Sequence, residues 1–81
     1  MSQTVELIAL RIRELCAARD ITPNGLSYIA AVPQATIKSI LNGESKSPEV
    51  LTIKKICDGL DITLGEFFST AAFDALEQEI K

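Results

Sequence analysis

Three prolines divide this chain of 81 residues into short segments, and each segment spaces its apolar residues as a helix does. Proline lacks a backbone N–H and is tolerated in a helix at its first turn, so Pro23, Pro33 and Pro48 mark helix starts rather than helix interiors. No segment alternates apolar and polar residues with the period of a strand. We therefore expect an all-α fold of five or six short helices in one domain, because a chain of this length has no room for a second core.

Capping residues and apolar spacing predict the bounds of each helix. Thr22 and Ser47 each precede a proline, as N-cap residues do, and Asn42-Gly43 is typical of a helix end. The first four expected helices cover residues 4–19, 22–30, 33–41 and 48–60, and either Gly59 or Asp61 ends the fourth. A short fifth helix begins at its cap Thr63 and extends to Phe68. A last helix begins at Ser69 or Thr70 and extends to Ile80.

The core is expected on the apolar side of each helix. The residues on these sides are Val5, Ile8, Ala9, Ile12, Leu15 and Cys16, then Leu26 and Ile29, then Ile37, Ile40 and Leu41, then Val50, Ile53, Ile56, Cys57 and Leu60, and finally Phe73, Leu76 and Ile80. Leu7 and Leu10 lie off the stripe of the first helix. Two alternatives follow for the last helix: it folds back onto this leucine pair, or its stripe contacts a second copy or another protein.

The residue types exclude most simple catalytic and metal sites. The chain contains no histidine, which is the commonest general base and metal ligand, and its two cysteines form no CxxC pair. We expect no catalysis, no metal and no cofactor. Cys16 and Cys57 stand among apolar residues, as free buried thiols of a reducing compartment do. The N-terminus has no positive signal-peptide region, and no apolar run could span a membrane, so a cytoplasmic protein is expected.

Charge is distributed unevenly along the chain, although the net charge of −3 by itself argues against a nucleic-acid partner. Residues 1–57 carry seven basic and five acidic residues, whereas residues 58–81 carry Lys81 and six acidic residues. Residues 21–43 contain no Asp or Glu, and Lys38 is their single charge. Five other basic residues could contribute to a DNA-binding surface, although the sequence leaves open which way they face, namely Arg11, Arg13, Lys46, Lys54 and Lys55.

The third helix has a polar outer face opposite its apolar side. With Ile37 and Ile40 pointing inward, this face carries Gln34, Ala35, Lys38, Ser39 and Asn42. Glutamine can bind the N6 and N7 atoms of adenine, lysine can reach guanine, and alanine can contact the methyl group of thymine in the major groove. A plain amphipathic surface helix would have the same composition, so composition alone favours neither interpretation.

The spacing of the elements separates these interpretations, because two short helices joined by about three residues form a helix-turn-helix unit. The pattern is Ile21-Thr22, Leu26-Ser27, Ala31-Val32, Thr36-Ile37, Asn42-Gly43, Ser45-Lys46-Ser47-Pro48, Leu60-Asp61-Ile62 and Glu66-Phe67-Phe68. With these residues in register, the chain resembles the phage repressor and Cro-like (XRE-type) helix-turn-helix family over residues 8–68.

The resemblance implies a five-helix lambda-repressor-like helix-turn-helix domain in residues 1–69, with its helix-turn-helix unit at 22–41 and an extra amphipathic C-terminal helix in residues 70–81. It implies a bacterial DNA-binding transcription regulator, a small phage or mobile-element repressor that binds double-stranded DNA as a homodimer and occludes a promoter. The base-facing residues would be Gln34, Ala35, Lys38 and Ser39. The phosphate-facing residues would be Thr22, Pro23, Asn24, Thr36, Asn42, Ser45 and Lys46.

Departures from the family pattern favour an alternative, an antitoxin-like or other protein-interaction module with weakened DNA binding. Pro23 stands where the family often has a glutamine that contacts DNA. Ala31 stands where the turn usually has glycine, so either it adopts a left-handed conformation at a cost of about 1 kcal/mol or the turn has a different shape. Cys16 and Leu41 replace a buried arginine–glutamate pair together, which supports the register because neither charge is left alone.

Overall fold

The computed structural model describes residues 3–80, and these form six helices and no strand. The helices are α1 (Gln3–Ala18), α2 (Pro23–Ala30), α3 (Gln34–Leu41), α4 (Val50–Gly59), α5 (Leu64–Phe68) and α6 (Ala71–Asp74). The prediction of an all-α fold with an extra C-terminal helix is confirmed. The predicted domain limits at residues 1 and 81 lie outside the described residues.

Helices α1 to α4 end in the same way, with a left-handed residue that reverses the chain. These residues are Asp20, Ala31, Gly43 and Asp61, with φ of 55°, 55°, 74° and 58°. After each of them, the next N–H donates to a carbonyl five positions earlier, for example Val32 to Ser27 at 3.2 Å and Ile62 to Cys57 at 3.0 Å. These bonds satisfy carbonyls that a helix end would otherwise leave unpaired.

The helix starts follow the predicted caps in two places and differ in one. The Thr22 Oγ1 atom accepts the N–H of Gly25 at 3.0 Å, and Thr63 forms a reciprocal capping box with Glu66. The predicted start of α4 at Ser47-Pro48 is wrong. Glu49 has an extended backbone at φ −72° and ψ 139°, so the helix begins at Val50 without a side-chain cap.

The core lies between α1, α2, α3, α4 and α5 and is aliphatic except for Phe67. Its fully buried members are Ile12, Leu26, Ile37, Ile40, Ile56, Cys57 and Phe67. The expectation that Ile29 and Val50 are buried is wrong, because they are 49% and 71% exposed. Ala30 is buried against α4 in place of Ile29, since Gly59 leaves room for the α2 backbone there.

Both cysteines are buried and not bonded to each other, as predicted. Burial raises the pKa of the Cys16 thiol, although Arg13 and Arg19 oppose this shift. Burial also raises the pKa of Cys57. The thiols therefore stay protonated and behave as small apolar side chains.

The predicted C-terminal helix is present but shorter than expected, because α6 ends at Asp74 and the predicted extension to Ile80 is wrong. The Phe73 ring packs beside Phe67 and Phe68, with centroid distances of 6.3 and 5.0 Å. The chain then returns along α1, where the Thr4 hydroxyl donates to the Glu79 carboxylate at 2.7 Å. The position of residues 70–80 is therefore set by these tertiary contacts and not by the continuation of a helix.

The stripe predicted on that helix does not form. Phe73 packs on the core, Leu76 is half-buried and Ile80 is exposed, so the three residues share no helical face. Of the two alternatives, folding back onto α1 is the one observed, since Phe73 lines a groove with Leu7 and Leu10. The predicted partner contact at Phe73, Leu76 and Ile80 therefore loses its structural basis.

Candidate nucleic-acid interface

The turn between α2 and α3 is held by a side chain and by an unusual alanine conformation. Ala31 has φ 55° and ψ 41°, so of the two alternatives for this turn the left-handed conformation is the one observed. The Ser27 hydroxyl donates to the Val32 carbonyl at 2.6 Å, and the Val32 side chain is buried. The turn is thus anchored on both sides, and α3 has a defined position relative to α2.

The outer face of α3 is exposed as its pattern predicts. Ile37 and Ile40 are each 1% exposed and point into the core. The opposite face presents Gln34, Ala35, Lys38 and Asn42 as exposed residues and Ser39 as a half-buried one. These side chains offer an amide, an ammonium group, a hydroxyl and a methyl group on one continuous surface.

A groove separates this face from the start of α2, and we call it the α2–α3 groove. It is lined by Arg13 of α1, Pro23 and Asn24 of α2, and Gln34, Ala35, Ile37, Lys38, Leu41 and Asn42 at α3. No Asp or Glu occurs among these described lining residues. The structure therefore brings together three predicted base-facing residues and three predicted phosphate-facing residues. The former are Gln34, Ala35 and Lys38, and the latter are Pro23, Asn24 and Asn42.

A second groove lies on the other side of α3, and we call it the loop groove. Its lining comprises Ala35, Thr36, Ser39 and Ile40 of α3, Ser45, Ser47, Pro48 and Glu49 of the following loop, and Thr52 of α4. The loop is held there because the Ser39 carbonyl accepts the N–H groups of Glu44 and Ser45 at 2.8 and 3.1 Å. Helix α3 thus forms a ridge between two grooves.

Two predicted phosphate-facing residues, Thr22 and Lys46, line neither groove. Both are exposed. The Thr22 oxygen accepts the Gly25 N–H, which leaves the hydroxyl proton able to donate. Lys46 lies at the tip of the loop, between Ser45 and Ser47 of the loop groove.

The structure also shows where the other basic residues face. Arg11 turns toward α5, where its Nε and Nη2 atoms donate to the carbonyls of Phe67 and Glu66 at 2.8 and 2.9 Å. Lys54 pairs with Asp58 on α4. Arg13, in contrast, lines the α2–α3 groove.

Arg13 was predicted only as one of five basic residues that could contribute to DNA binding, with its direction left open, although the sequence register held a further signal for it. The register that brings Cys16 of α1 close to Leu41 of α3 also brings the preceding turn of α1 to the end of α3. Arg13 lies one turn before Cys16, and its Nη2 atom donates to the Leu41 carbonyl at 3.2 Å.

Within residues 3–80, no group of three or more His, Cys, Asp or Glu residues is arranged to hold a metal ion. In the same part of the chain, no helix combines the length and the hydropathy needed to cross a membrane.

Comparison with known proteins identifies relatives of the whole helical array. Residues 11–72 match the family described as the Cro/C1-type HTH DNA-binding domain. The uncharacterized HTH-type transcriptional regulator RghRB of Bacillus subtilis (strain 168) is 33% identical over 72 residues, which cover 88% of this chain and 52% of RghRB. The chain thus spans about half the length of this curated relative.

Two solved structures are similar in fold. The crystal structure of the prophage Lp1 protein 11 superposes with a TM-score of 0.82 at 28% identity, covering 94% of this chain and 100% of that one. The HTH_3 family transcriptional regulator from Vibrio cholerae gives a TM-score of 0.75 at 28% identity, covering 84% of this chain and 38% of that one.

Proposed function

Because the chain belongs to the Cro/C1-type helix-turn-helix family of transcriptional regulators, we propose that it is a repressor that occludes a promoter by binding a specific DNA sequence. The observation that carries this proposal is the α3 ridge, whose outer face holds polar groups and Lys38 and no acidic residue. Such a ridge suits the major groove, where base edges present hydrogen-bond donors and acceptors. Similarity to a prophage protein supports a phage or mobile-element origin.

Base recognition is assigned to the outer face of α3. Gln34 lies at the first position of the helix and can form two hydrogen bonds with adenine. Lys38 follows one turn later and can reach guanine, and Ala35 between them can contact a thymine methyl group. Ser39 lies toward the loop groove and can donate to or accept from a base edge.

Phosphate contacts are assigned to the residues that border the ridge. Pro23, Asn24 and Asn42 line the α2–α3 groove, and Thr36 and Ser45 line the loop groove. Thr22 and Lys46 extend these two borders. Pro23 offers no N–H and acts by shape, whereas the amides, hydroxyls and the ammonium group can bind phosphate oxygens.

A homodimer is proposed because one copy presents few cations to the DNA, and few phosphate contacts give modest affinity. Val50 and Leu51 are 71% and 62% exposed at the start of α4. They follow Pro48 and Glu49, which line the loop groove. We propose this pair as the two-fold contact; a dimer that binds two successive major grooves needs its α3 helices about 34–36 Å apart.

The proposed partner is double-stranded DNA, and the proposed location is the cytoplasm. The free, buried thiols of Cys16 and Cys57 support this location, because a reducing compartment keeps thiols unbonded. We assign no catalysed reaction, since Ser and Thr residues such as Thr22 and Thr63 already serve as helix caps.

Selection of bound duplexes from a random DNA pool at about 0.1 M salt tests this function, because that salt partly screens nonspecific contacts. We expect a two-fold motif with half-sites one helical turn apart. The double variant Gln34→Ala/Lys38→Ala should lose it. Lys55→Ala is the matched control, since this exposed lysine of α4 lines neither groove.

Failure of the well-folded protein to enrich any sequence would contradict the proposal. It would favour the alternative, a protein-interaction module of antitoxin-like type. Glu49 in the loop groove is the structural feature that favours this second candidate, because a carboxylate there repels phosphate.

A further inference from the structure

We infer that Arg13 of α1 binds a backbone phosphate of DNA while it holds the C-terminal end of α3, and is thereby a positioning residue for that helix. The inference rests on the proposed DNA-binding function. It gives a specific contact to one of the five basic residues whose direction the sequence left open, and it adds α1 to the elements assigned to phosphate.

The first observation is the location of Arg13. It borders the α2–α3 groove together with Asn24, Lys38 and Asn42. Arg13 and Lys38 are the two cations among the described residues of this groove, and no acidic residue lines it. Two cations facing an acid-free groove create a positive potential, which attracts an anion.

The second observation is the hydrogen bond between Arg13 and the end of α3. The Arg13 Nη2 atom donates to the carbonyl of Leu41 at 3.2 Å, and Leu41 is the last residue of the helix. Carbonyls of the last turn lack an intrahelical partner and form the negative end of the helix dipole. A guanidinium group there stabilises the helix end and ties it to α1.

The third observation is that Arg13 keeps most of its hydrogen-bonding capacity. Arg11 uses three nitrogens, on Phe67, Glu66 and Glu14. Within residues 3–80, Arg13 has no carboxylate at ion-pair distance, and its side chain donates to the Leu41 carbonyl. A guanidinium has five N–H donors in a planar fork that matches phosphate oxygens, so several remain for an anion.

Phosphate fits this position better than a base. Arg13 belongs to α1 and borders the α2–α3 groove, whereas the base contacts are assigned to the outer face of α3. Backbone phosphates border the major groove and are the usual ligands of residues beside a recognition helix. A phosphate held by Arg13 would therefore also fix the end of α3 against the DNA.

The salt dependence of binding tests this role, because a purely structural residue would leave the salt dependence unchanged. The selected duplex and a random duplex are titrated with wild type, Arg13→Gln, Arg13→Lys and Arg19→Ala. Arg13→Gln keeps an N–H donor for the Leu41 carbonyl but removes the charge. We expect it to reduce the slope of log K against log salt by about 0.9, with equal fold losses on both duplexes.

The other variants distinguish an effect of the Arg13 charge on DNA binding from an effect on folding. Arg13→Lys should keep the wild-type slope, because its charge remains. Arg19→Ala removes the same charge from an exposed arginine that lines neither groove, and should leave the slope unchanged. Thermal denaturation confirms that each variant is folded.

Two failures are distinguishable. Absence of any selected sequence for wild type would overturn the proposed function. A wild-type protein that binds its site, with an unchanged salt slope in Arg13→Gln, would overturn the role of Arg13 alone. Loss restricted to the selected duplex would also overturn it, since phosphate contacts do not distinguish sequences.

Discussion

Gly59 of α4 faces the backbone of Ala30 in α2 so closely that a side chain between them would be crowded. A β-carbon added to Gly59 would lie 3.0 Å from the Ala30 Cα atom and 3.1 Å from its nitrogen. Because backbone atoms move aside less readily than a flexible side chain, a β-carbon here would force α2 and α4 apart by a few tenths of an ångström. Helix α2 leads into the turn before α3, so this contact also sets where the candidate interface lies on the domain.

Gly59→Ala is expected to destabilise the protein even though alanine is the better helix former. The gain in helix propensity is about 1 kcal/mol, whereas overpacking against a backbone costs about 1–3 kcal/mol. Urea denaturation should show a lower free energy of unfolding. Gly65→Ala is the control, since its added Cβ would meet Thr63 Oγ1 at an ordinary 3.7 Å. Equal stability of the two variants would contradict the close crossing.

Ala31→Gly is expected to stabilise the helix-turn-helix turn. Ala31 has φ 55°, a conformation that costs an L-residue about 1–2 kcal/mol and glycine almost nothing. After the entropy of glycine is subtracted, the gain should be about 1 kcal/mol, or roughly 4–8 °C in Tm. Ala17→Gly, in the exposed last turn of α1, should lower Tm instead. A fall in Tm for both variants would argue against the strained turn.

Arg11→Ala is expected to loosen α5 without affecting nucleic-acid binding. The guanidinium is 17% exposed and donates to the carbonyls of Phe67 and Glu66 at the end of α5. Charged hydrogen bonds of this kind contribute about 1.5–3 kcal/mol. Chemical denaturation should show a loss in this range, while the salt slope of DNA binding stays as in wild type. A reduced slope would place Arg11 among the phosphate contacts.

Two C-terminal truncations should differ in stability, because Phe73 lies between their end points. Ending the chain after Asp74 keeps the Phe73 ring on Phe67 and Phe68, and should cost about 1 kcal/mol or less. Ending it after Ser69 removes that ring and should cost about 1–3 kcal/mol more. Calorimetry measures both, and Phe73→Ala in the full chain should reproduce the difference. Sedimentation should show that neither truncation changes the oligomeric state, since the exposed Val50-Leu51 pair remains.

Gln34→Ala and Lys46→Ala should weaken DNA binding in different ways. Loss of the Gln34 amide should relax specificity at one base pair and cost about 1–3 kcal/mol on the selected site. Loss of the Lys46 charge should weaken all sequences alike and reduce the salt slope by about 1. Competition titrations with single-base variants of the site measure both effects. If the two variants weakened every sequence equally, the division into base-facing and phosphate-facing residues would be wrong.

Much of the helical array follows from neighbours along the chain. The N-caps Thr22 and Thr63 act within three residues, and apolar spacing depends on residues within about two turns. These local terms predicted α1, α2, α3 and α5 to within a residue or two, and the polar outer face of α3 opposite Ile37. Resemblance to the family gave the left-handed conformation of Ala31 as one of two alternatives, and it is the one observed. The DNA-contact residues remain predictions from the same pattern.

Contacts between distant segments decided the rest. Ile29 is exposed because the Ala30 backbone packs against Gly59, which lies 30 positions after Ile29. The apolar spacing within α2 cannot predict a contact with so distant a residue. Helix α6 ends at Asp74 because Phe73 packs on Phe67 and Phe68, although helical spacing continues to Ile80.

The same division holds for the charged residues. Amino-acid sequence alone determined that the segment around α3 is free of acidic residues, since that is a matter of composition. Which arginine of α1 reaches the candidate interface was decided by tertiary structure, because Arg11 and Arg13 differ by only two positions. Two positions turn a helix through about 200°, so Arg11 meets α5 and Arg13 meets the end of α3.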